Sequence, residues 1–182
     1  MTQPAGMQPM RMLSASRLER SAFAPFGDVV EISDDAERRA VNYGTAWRYH
    51  DLARLDLSAN RGRPIVSIFR ATPVPLPIVV KIMERHPLSS QAFIPLGSAP
   101  YLVIVAPPGP FDASCLQAFV AAPHQGVNYA PGVWHHYVLA LNRESDFMVV
   151  DRDGPGSNLD EIVLEPSEQR CVALKSEQGT VS

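Results

Sequence analysis

The sequence predicts a mainly β protein, a small sandwich or barrel with one or two short helices. Seventeen of its 182 residues are proline, and ten of these prolines fall between residues 64 and 110. They separate short runs rich in β-branched residues at positions 65–69, 78–80 and 101–105. Because proline ends strands and breaks helices, this arrangement excludes a helical bundle and favours many short strands.

The composition predicts one folded domain. With 46% hydrophobic and 19% charged residues, the chain can bury a substantial core. We expect one domain over residues 14–174, with loose tails at 1–13 and 175–182. The formal net charge of −3 offers no basic field for nucleic acid or anionic membranes, so a small molecule is the expected partner.

Two further features bear on location. No apolar run is long enough to span a membrane, and the first residues lack a secretory core, which predicts a cytoplasmic protein without membrane contact. The two cysteines, Cys115 and Cys171, have no CxxC spacing and are expected to be free thiols in or near the core.

The elements follow in chain order from their turn residues. The Ser16-x-x-Glu19 capping box predicts a helix over residues 16–24, ended by Pro25 and Gly27. Residues 112–122 carry apolar side chains at helical spacing and predict a single helical turn. Turn residues separate the predicted strands, which are 28–32, 47–52, 65–70, 78–86, 91–95, 101–106, 126–129, 133–141, 146–151, 162–164 and 169–174.

A first polar cluster lies on the predicted strand 78–86. Alternation along it places Glu84 and His86 on the same face as Val80, inside the barrel, and turns Arg85 outward. Across the turn at Pro87, Gln91 begins the next strand near His86. A carboxylate, an imidazole and an amide are therefore expected in one interior site.

A second cluster follows Pro131 and Gly132. Because His135 and His136 are adjacent on a predicted strand, they face opposite ways. We expect His135 inside, and His136 facing solvent or a partner subunit. Of the remaining histidines, His50 is expected in a surface or hydrogen-bonded pair with Asp51 and His124 in a loop, and a role in the site stays open for both.

The spacing of these residues resembles two motifs of the cupin superfamily. Glu84-x-His86 followed by Gln91, with a later Gly132-x-x-His135, corresponds to the metal-binding motifs of that superfamily, although Glu84 stands for a histidine and Gln91 for a glutamate. Longer strings resemble the ureidoglycolate lyase family over roughly residues 13–173. These strings are 48–52 (RYHDL), 84–88 (ERHPL), 91–95 (QAFIP), 125–129 (QGVNY), 133–136 (VWHH), and 146–147 (DF) leading to 151–152 (DR).

This resemblance implies a fold, an activity and a cofactor. The fold would be a cupin-like double-stranded β-barrel, or jelly roll, in a homodimer. The activity would be cleavage of (S)-ureidoglycolate to glyoxylate and urea in allantoin and purine degradation. The implied cofactor is nickel or another divalent metal, which activity need not strictly require.

The substrate's chemistry assigns roles to the candidate residues. Cleavage needs proton carriers, for which His86 and His135 are suited, with Glu84 adjusting their basicity. The substrate carboxylate suits a planar guanidinium, and Arg70 is the first choice, ahead of Arg48 and Arg152.

Further side chains are expected to bind the ureido group or a metal. Amide and phenol groups can pair with a ureido group, which favours Gln91, Asn128 and Tyr129. A metal would be held by a mixed nitrogen and oxygen set consisting of Glu84, His86, Gln91 and His135.

Three other functions remain open from the sequence. An amidohydrolase would release ammonia from the same substrate. A cupin oxygenase would use Glu84, His86 and His135 as the two-histidine, one-carboxylate triad of non-haem iron. A binding module would hold a small acid without converting it.

Overall fold

A computed structural model describes residues 10–174 of the chain. The first half forms β1 (Arg11–Arg17), α1 (Arg20–Phe23), β2 (Gly27–Val30), β3 (Arg38–Val41), β4 (Ala46–Tyr49), β5 (Arg63–Ala71), β6 (Ile78–Val80) and β7 (Ile82–Arg85). The second half forms β8 (Gln91–Pro95), β9 (Tyr101–Ala106), β10 (Gln117–Ala121), β11 (Gly126–Tyr129), β12 (Trp134–His135), β13 (Leu139–Ala140), β14 (Ser145–Asp153), β15 (Asp160–Val163) and β16 (Arg170–Leu174). Short 3-10 turns lie at Asn42–Gly44, Ala59–Arg61 and Ala113–Cys115.

Two curled sheets form the predicted cupin-like barrel, and the mainly β fold is confirmed. The large sheet has the order β15-β7-β12-β9-β10-β1-β16-β6, with β13 also paired to β9. The small sheet has the order β2-β11-β8-β14-β5. Within residues 10–174, β3 and β4 pair only with each other and form a separate hairpin.

Apolar side chains form two clusters, one on each face of the large sheet. The inner core lies between the two sheets and includes Phe23, Phe26, Phe93, Tyr101, Val103, Val105, Phe119, Val127, Tyr129, Phe147 and Val149. The outer core lies on the other face and includes Val80, Met83, Leu102, Ile104, Ala106, Ala118, Trp134, Leu139, Leu164 and Val172. Strand β9 contributes alternately to both, which explains why its sequence is apolar throughout.

The predicted helix over residues 16–24 is shorter than expected. Only Arg20–Phe23 are helical, and Glu19 caps them without a side-chain hydrogen bond. Ser16 instead lies in β1, where it pairs with Phe119 in parallel register. Pairing with two neighbouring strands therefore outweighs the capping-box signal, while the end of the helix near Pro25 agrees with the prediction.

The strand predicted over residues 78–86 is interrupted at Lys81. Strand β6 pairs with β16, whereas β7 pairs with β12 and β15. The break changes the alternation, because Val80 and Met83 both pack in the outer core although they are three positions apart, an odd number. The expectation that Val80 shares a face with Glu84 was therefore wrong.

Two other segments differ from their predictions. Residues 112–122 form the 3-10 turn and then strand β10, which is held between β9 and β1. The predicted strand 133–141 is divided into β12 and β13, both paired with β9, and the chain leaves the sheet between them. By contrast, the strands predicted at 91–95, 101–106 and 126–129 coincide with β8, β9 and β11.

The predicted tails lie mainly outside the described residues. Residues 11–13 are the exception, because they belong to β1 and pair with β16 rather than forming part of a tail. Both cysteines are free, although Cys115 is exposed and only Cys171 is half-buried. No helix within residues 10–174 is long and apolar enough to cross a membrane.

We expect Phe147→Ala to destabilise the barrel by about 3–5 kcal/mol, since it removes a fully buried ring that packs edge-on against Phe93 and Tyr101. Guanidinium chloride unfolding measures the loss. Ile68→Ala is the control, because this side chain is 58% exposed and its removal changes stability by less than about 0.5 kcal/mol. Equal effects of the two substitutions would contradict this description of the core.

Candidate active site

Three of the predicted site residues meet on the large sheet. Glu84 of β7 and His135 of β12 are directly paired across the strands, and His135 is also paired with Val105 of the inner core. His86 follows β7 directly. One ligand atom from each of Glu84, His86 and His135 lies within 4.8 Å of the others.

The small sheet contributes residues from the opposite wall. Gln91 and Tyr129 are paired between β8 and β11 and therefore face the same side, towards the inner core. The Tyr129 ring stacks on the His135 ring, with centroids 4.3 Å apart and planes 2° from parallel. Oε1 of Gln91 lies 3.2 Å from Nε2 of His86. The site thus joins the two sheets.

Both imidazoles are oriented by backbone carbonyls. Nδ1 of His86 lies 2.6 Å from the carbonyl oxygen of Asn158, and Nδ1 of His135 lies 3.3 Å from that of His136. Because a carbonyl only accepts, each Nδ1 carries the proton and donates. Nε2 of His135 is buried without a partner, whereas Nε2 of His86 lies against the side-chain amide of Gln91.

Burial sets the charge of the site. It lowers the pKa of His135 to about 3, and neighbouring His86 adds to this shift, so the His135 ring is neutral near pH 7. Burial also raises the pKa of Glu84, with His86 opposing the shift and Glu161 reinforcing it. The pKa of Tyr129 is raised by burial and by the charge of Glu84.

These groups fit a divalent metal. One ring nitrogen from each imidazole and a carboxylate oxygen form a nitrogen and oxygen set of the kind that first-row metals accept. A carbonyl acceptor on the other ring nitrogen is the usual support of a ligating histidine, and both rings have one at Nδ1, while Nε2 of His135 is buried without a partner and leaves a lone pair available. Gln91, expected as a fourth ligand, lies beside this set in contact with His86.

Arg70 is not brought to this cluster. Its Nε and Nη2 donate to the two carboxylate oxygens of Asp146 at 2.8 and 2.9 Å, on an exposed surface. Asp146 lies five residues before Asp151 on β14, or roughly 17 Å along the strand. Of these two aspartates, Asp151 is the one near Gln91 and the site. Because Arg70 is bound to Asp146, its guanidinium is remote from the site.

The other arginines have structural contacts. Arg85 points outward as predicted, where it pairs with Asp160 and lies over the Trp134 ring. Arg48 is exposed on the β3-β4 hairpin.

Arg152 forms no ion pair with Asp151, because its guanidinium donates to the carbonyls of Ala59, Asn60 and Pro155. A Cβ on Gly62 would collide with Nε of Arg152, so glycine is needed for this packing.

Asn128 also lies away from the cluster. Strand alternation turns it to the opposite face from Tyr129, and its Nδ2 donates to Asp28 Oδ2 and to the carbonyl of Arg54, both at 3.0 Å. His136, expected to face solvent or a partner subunit, is only 3% exposed, and its Nδ1 lies 3.1 Å from the carbonyl oxygen of Tyr137. Among the other histidines, His50 is half-buried and His124 is exposed near Glu31.

Sequence reasoning missed two residues at the site. Asp151 faces inward because it continues the alternation of Phe147 and Val149, a signal that was readable in the sequence. Asn158 comes from the loop after β14, and no local pattern indicates its role. Besides its carbonyl contact with His86, its side chain accepts from the backbone N–H of Leu88 and donates to Ser89.

A cavity of about 270 Å³ opens beside these residues. Its lining includes His86, Ser89, Gln91, Asp151, Arg152 and Asn158. A larger open groove of about 630 Å³ lies elsewhere along Arg17 and Val120, but its lining has no histidine. The smaller cavity is therefore the one that adjoins the reactive groups.

Comparison with known proteins gives one consistent result. The sequence model of the ureidoglycolate lyase family matches residues 10–170. A ureidoglycolate lyase of Burkholderia mallei is 55% identical over 158 residues, covering 87% of this chain and 92% of that protein. A ureidoglycolate lyase of Pseudomonas syringae pv. tomato is 44% identical over 171 residues, covering 93% of this chain and all of that protein.

We expect the chain to bind one divalent ion, measured by equilibrium dialysis with Ni²⁺, Zn²⁺ or Mn²⁺. His86→Ala and His135→Ala each remove one of the three proposed ligands and lower the affinity by at least about 10–100-fold, the scale seen even for supporting residues. His124→Ala, at an exposed histidine, leaves the affinity unchanged. Unaltered affinity in the first two variants would place the ion elsewhere.

The buried His135 also predicts a pH dependence of stability in chelator-treated protein. Unfolded His135 takes up a proton near pH 6.5, whereas folded His135 does so only near pH 3. Between about pH 6.5 and pH 3 the unfolded state therefore binds more protons than the folded state. As the pH is lowered through this window, the free energy of unfolding decreases by at most about 1.4 kcal/mol per pH unit. Guanidinium unfolding at several pH values gives the free energy of unfolding as a function of pH. This free energy should change less with pH for His135→Asn than for wild type or His124→Asn, and the same pH dependence in all three proteins would refute the prediction.

Proposed function

The chain belongs to the ureidoglycolate lyase family, and we propose on this basis that its interior site cleaves (S)-ureidoglycolate to glyoxylate and urea. The observation that carries the proposal is the group formed by Glu84, His86 and His135 beside a polar cavity. The chain matches its relatives over nearly their full length, so the activity in their names applies to the whole barrel.

The reaction moves one proton within the substrate. Ureidoglycolate carries a carboxylate, a hydroxyl and a ureido group on one carbon. As the carbon–nitrogen bond breaks, the hydroxyl becomes the aldehyde of glyoxylate, and its proton ends on the departing urea nitrogen. One group that accepts the proton from the oxygen and returns it to the nitrogen is therefore sufficient.

Glu84 is suited to carry this proton. Burial raises its pKa, which brings its two protonation states closer in free energy near neutral pH. His86 and His135 flank it, and the Nδ1 of His135 lies 3.7 Å from Oε1 of Glu84. Because Nδ1–H of His135 faces a carbonyl, the lone pair of this ring lies on Nε2, which is buried without a partner.

We propose that His86, His135 and one carboxylate oxygen of Glu84 also hold a divalent ion, so that only the second oxygen of Glu84 is available to the proton. When bound, the metal supplies Lewis-acid polarisation of the substrate hydroxyl and carboxylate. The ligand set accepts several first-row metals, and nickel is the one that the family resemblance implies. The ion is expected to increase activity.

The binding roles expected from the sequence are revised. Gln91 and Tyr129 remain candidates for contact with the substrate, because both face the interior beside the histidines. Arg70 and Asn128 are no longer candidates within one chain, since each is bound to other groups away from the cluster.

We further propose that the chain acts as a cytoplasmic homodimer in the breakdown of allantoin from purines. Family membership supports this assignment. The free state of Cys115 and Cys171 suits a reducing compartment.

The decisive assay incubates purified protein with (S)-ureidoglycolate and measures urea, ammonia and glyoxylate separately. Urea and glyoxylate without ammonia are expected. Ammonia in place of urea would identify an amidohydrolase, and turnover that stops without oxygen would identify an oxygenase. Binding without any product would leave only a small-acid-binding barrel and contradict the proposal.

We expect Glu84→Gln, His86→Ala and His135→Ala each to lower kcat/KM for urea release by about 10²–10⁴-fold, the usual range for groups that move or orient a proton. Arg70→Ala is the matched control, because its ion pair with Asp146 lies on the exposed surface, and activity should stay within about twofold of wild type. Loss of activity in Arg70→Ala with full activity in His135→Ala would reverse the assignment.

A further inference from the structure

Asp151 is an interior carboxylate that the proton transfer does not use. On β14 it follows Val150, which pairs with Ala92 next to Gln91 of β8, and Phe147 and Val149 on the same face pack in the inner core. Its Oδ1 is buried without a hydrogen-bond partner, and its Oδ2 lies 3.5 Å from Nε2 of Gln91. A buried acceptor without a partner is rare in folded proteins and points to a ligand that would donate to it.

The position of Asp151 separates it from the proposed metal ligands. It is not part of the group formed by Glu84, His86 and His135. Gln91 stands between, with Oε1 towards His86 and Nε2 towards Asp151. The cavity of about 270 Å³ is lined by both His86 and Asp151, so one small molecule bound there can contact both residues.

The charge of Asp151 decides which end of a substrate it receives. Within residues 10–174 it forms no ion pair, and Nε and Nη2 of neighbouring Arg152 donate to backbone carbonyls. A substrate carboxylate beside Asp151 would meet like charge. A ureido group instead offers N–H donors, and a carboxylate has two acceptor oxygens to receive them.

We infer that Asp151 accepts hydrogen bonds from the ureido N–H groups and thereby orients the substrate, with its carboxylate and hydroxyl towards Glu84, His86 and His135. This inference rests on the proposed function and names the specificity contact of the same site. Asp151 recognises the departing urea moiety. Gln91 lies between Asp151 and His86 and holds the Asp151 carboxylate in place. The site therefore selects small acids that carry a terminal ureido or amide donor.

Binding of two unreactive ligands tests the inference without requiring turnover. Oxalurate has a ureido group and a carboxylate joined through a carbonyl, whereas oxalate has no ureido group. Isothermal titration calorimetry should show that wild-type protein binds oxalurate more tightly than oxalate by about 10–100-fold, the scale of a charge-assisted hydrogen bond. Asp151→Asn should lose most of this preference and keep its affinity for oxalate within about threefold.

Asp153→Asn is the matched control, because this exposed carboxylate on the same strand pairs with Arg63. It should retain the full preference for oxalurate. A wild-type protein that binds both ligands equally, or neither, overturns the inference, as does a preserved preference in Asp151→Asn. Urea release from ureidoglycolate would still stand in that case, so the two failures are distinguishable.

A second measurement uses the native protein, in case Asp151→Asn does not fold. Methylation of the terminal nitrogen of oxalurate replaces one N–H donor. Dimethylation removes both, and wild-type affinity should then fall by at least about tenfold towards that of oxalate. Unchanged affinity for the dimethylated ligand would show that no acceptor faces this nitrogen and would overturn the role of Asp151.

Discussion

The site depends on the alternation of side chains along its β-strands. Each pleat turns one residue into the barrel and its neighbour away from it. The inward residues are Glu84, Gln91, Tyr129, His135 and Asp151, and their chain neighbours Arg85, Ala92, Asn128 and Trp134 face the other side. Each of the two interior carboxylates is followed by an arginine: Arg85 points outward to Asp160 and Trp134, whereas Arg152 also lines the cavity, with its Nε and Nη2 bound to backbone carbonyls. The interior is therefore polar, and neither carboxylate has a Lys or Arg ion-pair partner among residues 10–174.

This acidic interior is stabilised by contacts outside it. Burial keeps His135 neutral, so that ring adds no positive charge to balance Glu84 and Asp151. A divalent ion would supply that charge, and an anionic substrate increases the need for it. The loop after β14 holds the arrangement in place, because Arg152 binds the carbonyl of Pro155 and Asn158 binds His86 and the turn that follows it.

The fold was predictable where local pattern and sheet pairing agree. Strands β8, β9 and β11 begin and end where their apolar runs and flanking turns predicted. The failures arose where pairing with distant strands decided the conformation. Ser16 joins β1 because β10 and β16 lie on either side of that strand, and β6 separates from β7 because they have different partners. The partner strands lie far away in the sequence, so a short stretch of residues does not indicate which strand it will pair with.

The sequence by itself determined the barrel class, the family resemblance and the choice of Glu84, His86 and His135 as one group, because strand patterns and motif spacing are local properties. The face on which Glu84 lies was predicted from a continuous strand that the structure interrupts at Lys81. Only the tertiary structure decided which groups these residues meet. In the folded chain Tyr129 stacks on His135, and Asp151 lies beside Gln91. The carbonyl of Asn158 accepts from His86, and Arg70 forms an ion pair with Asp146. These contacts join residues far apart in the chain, and the closure of two sheets around one core is what brings them together.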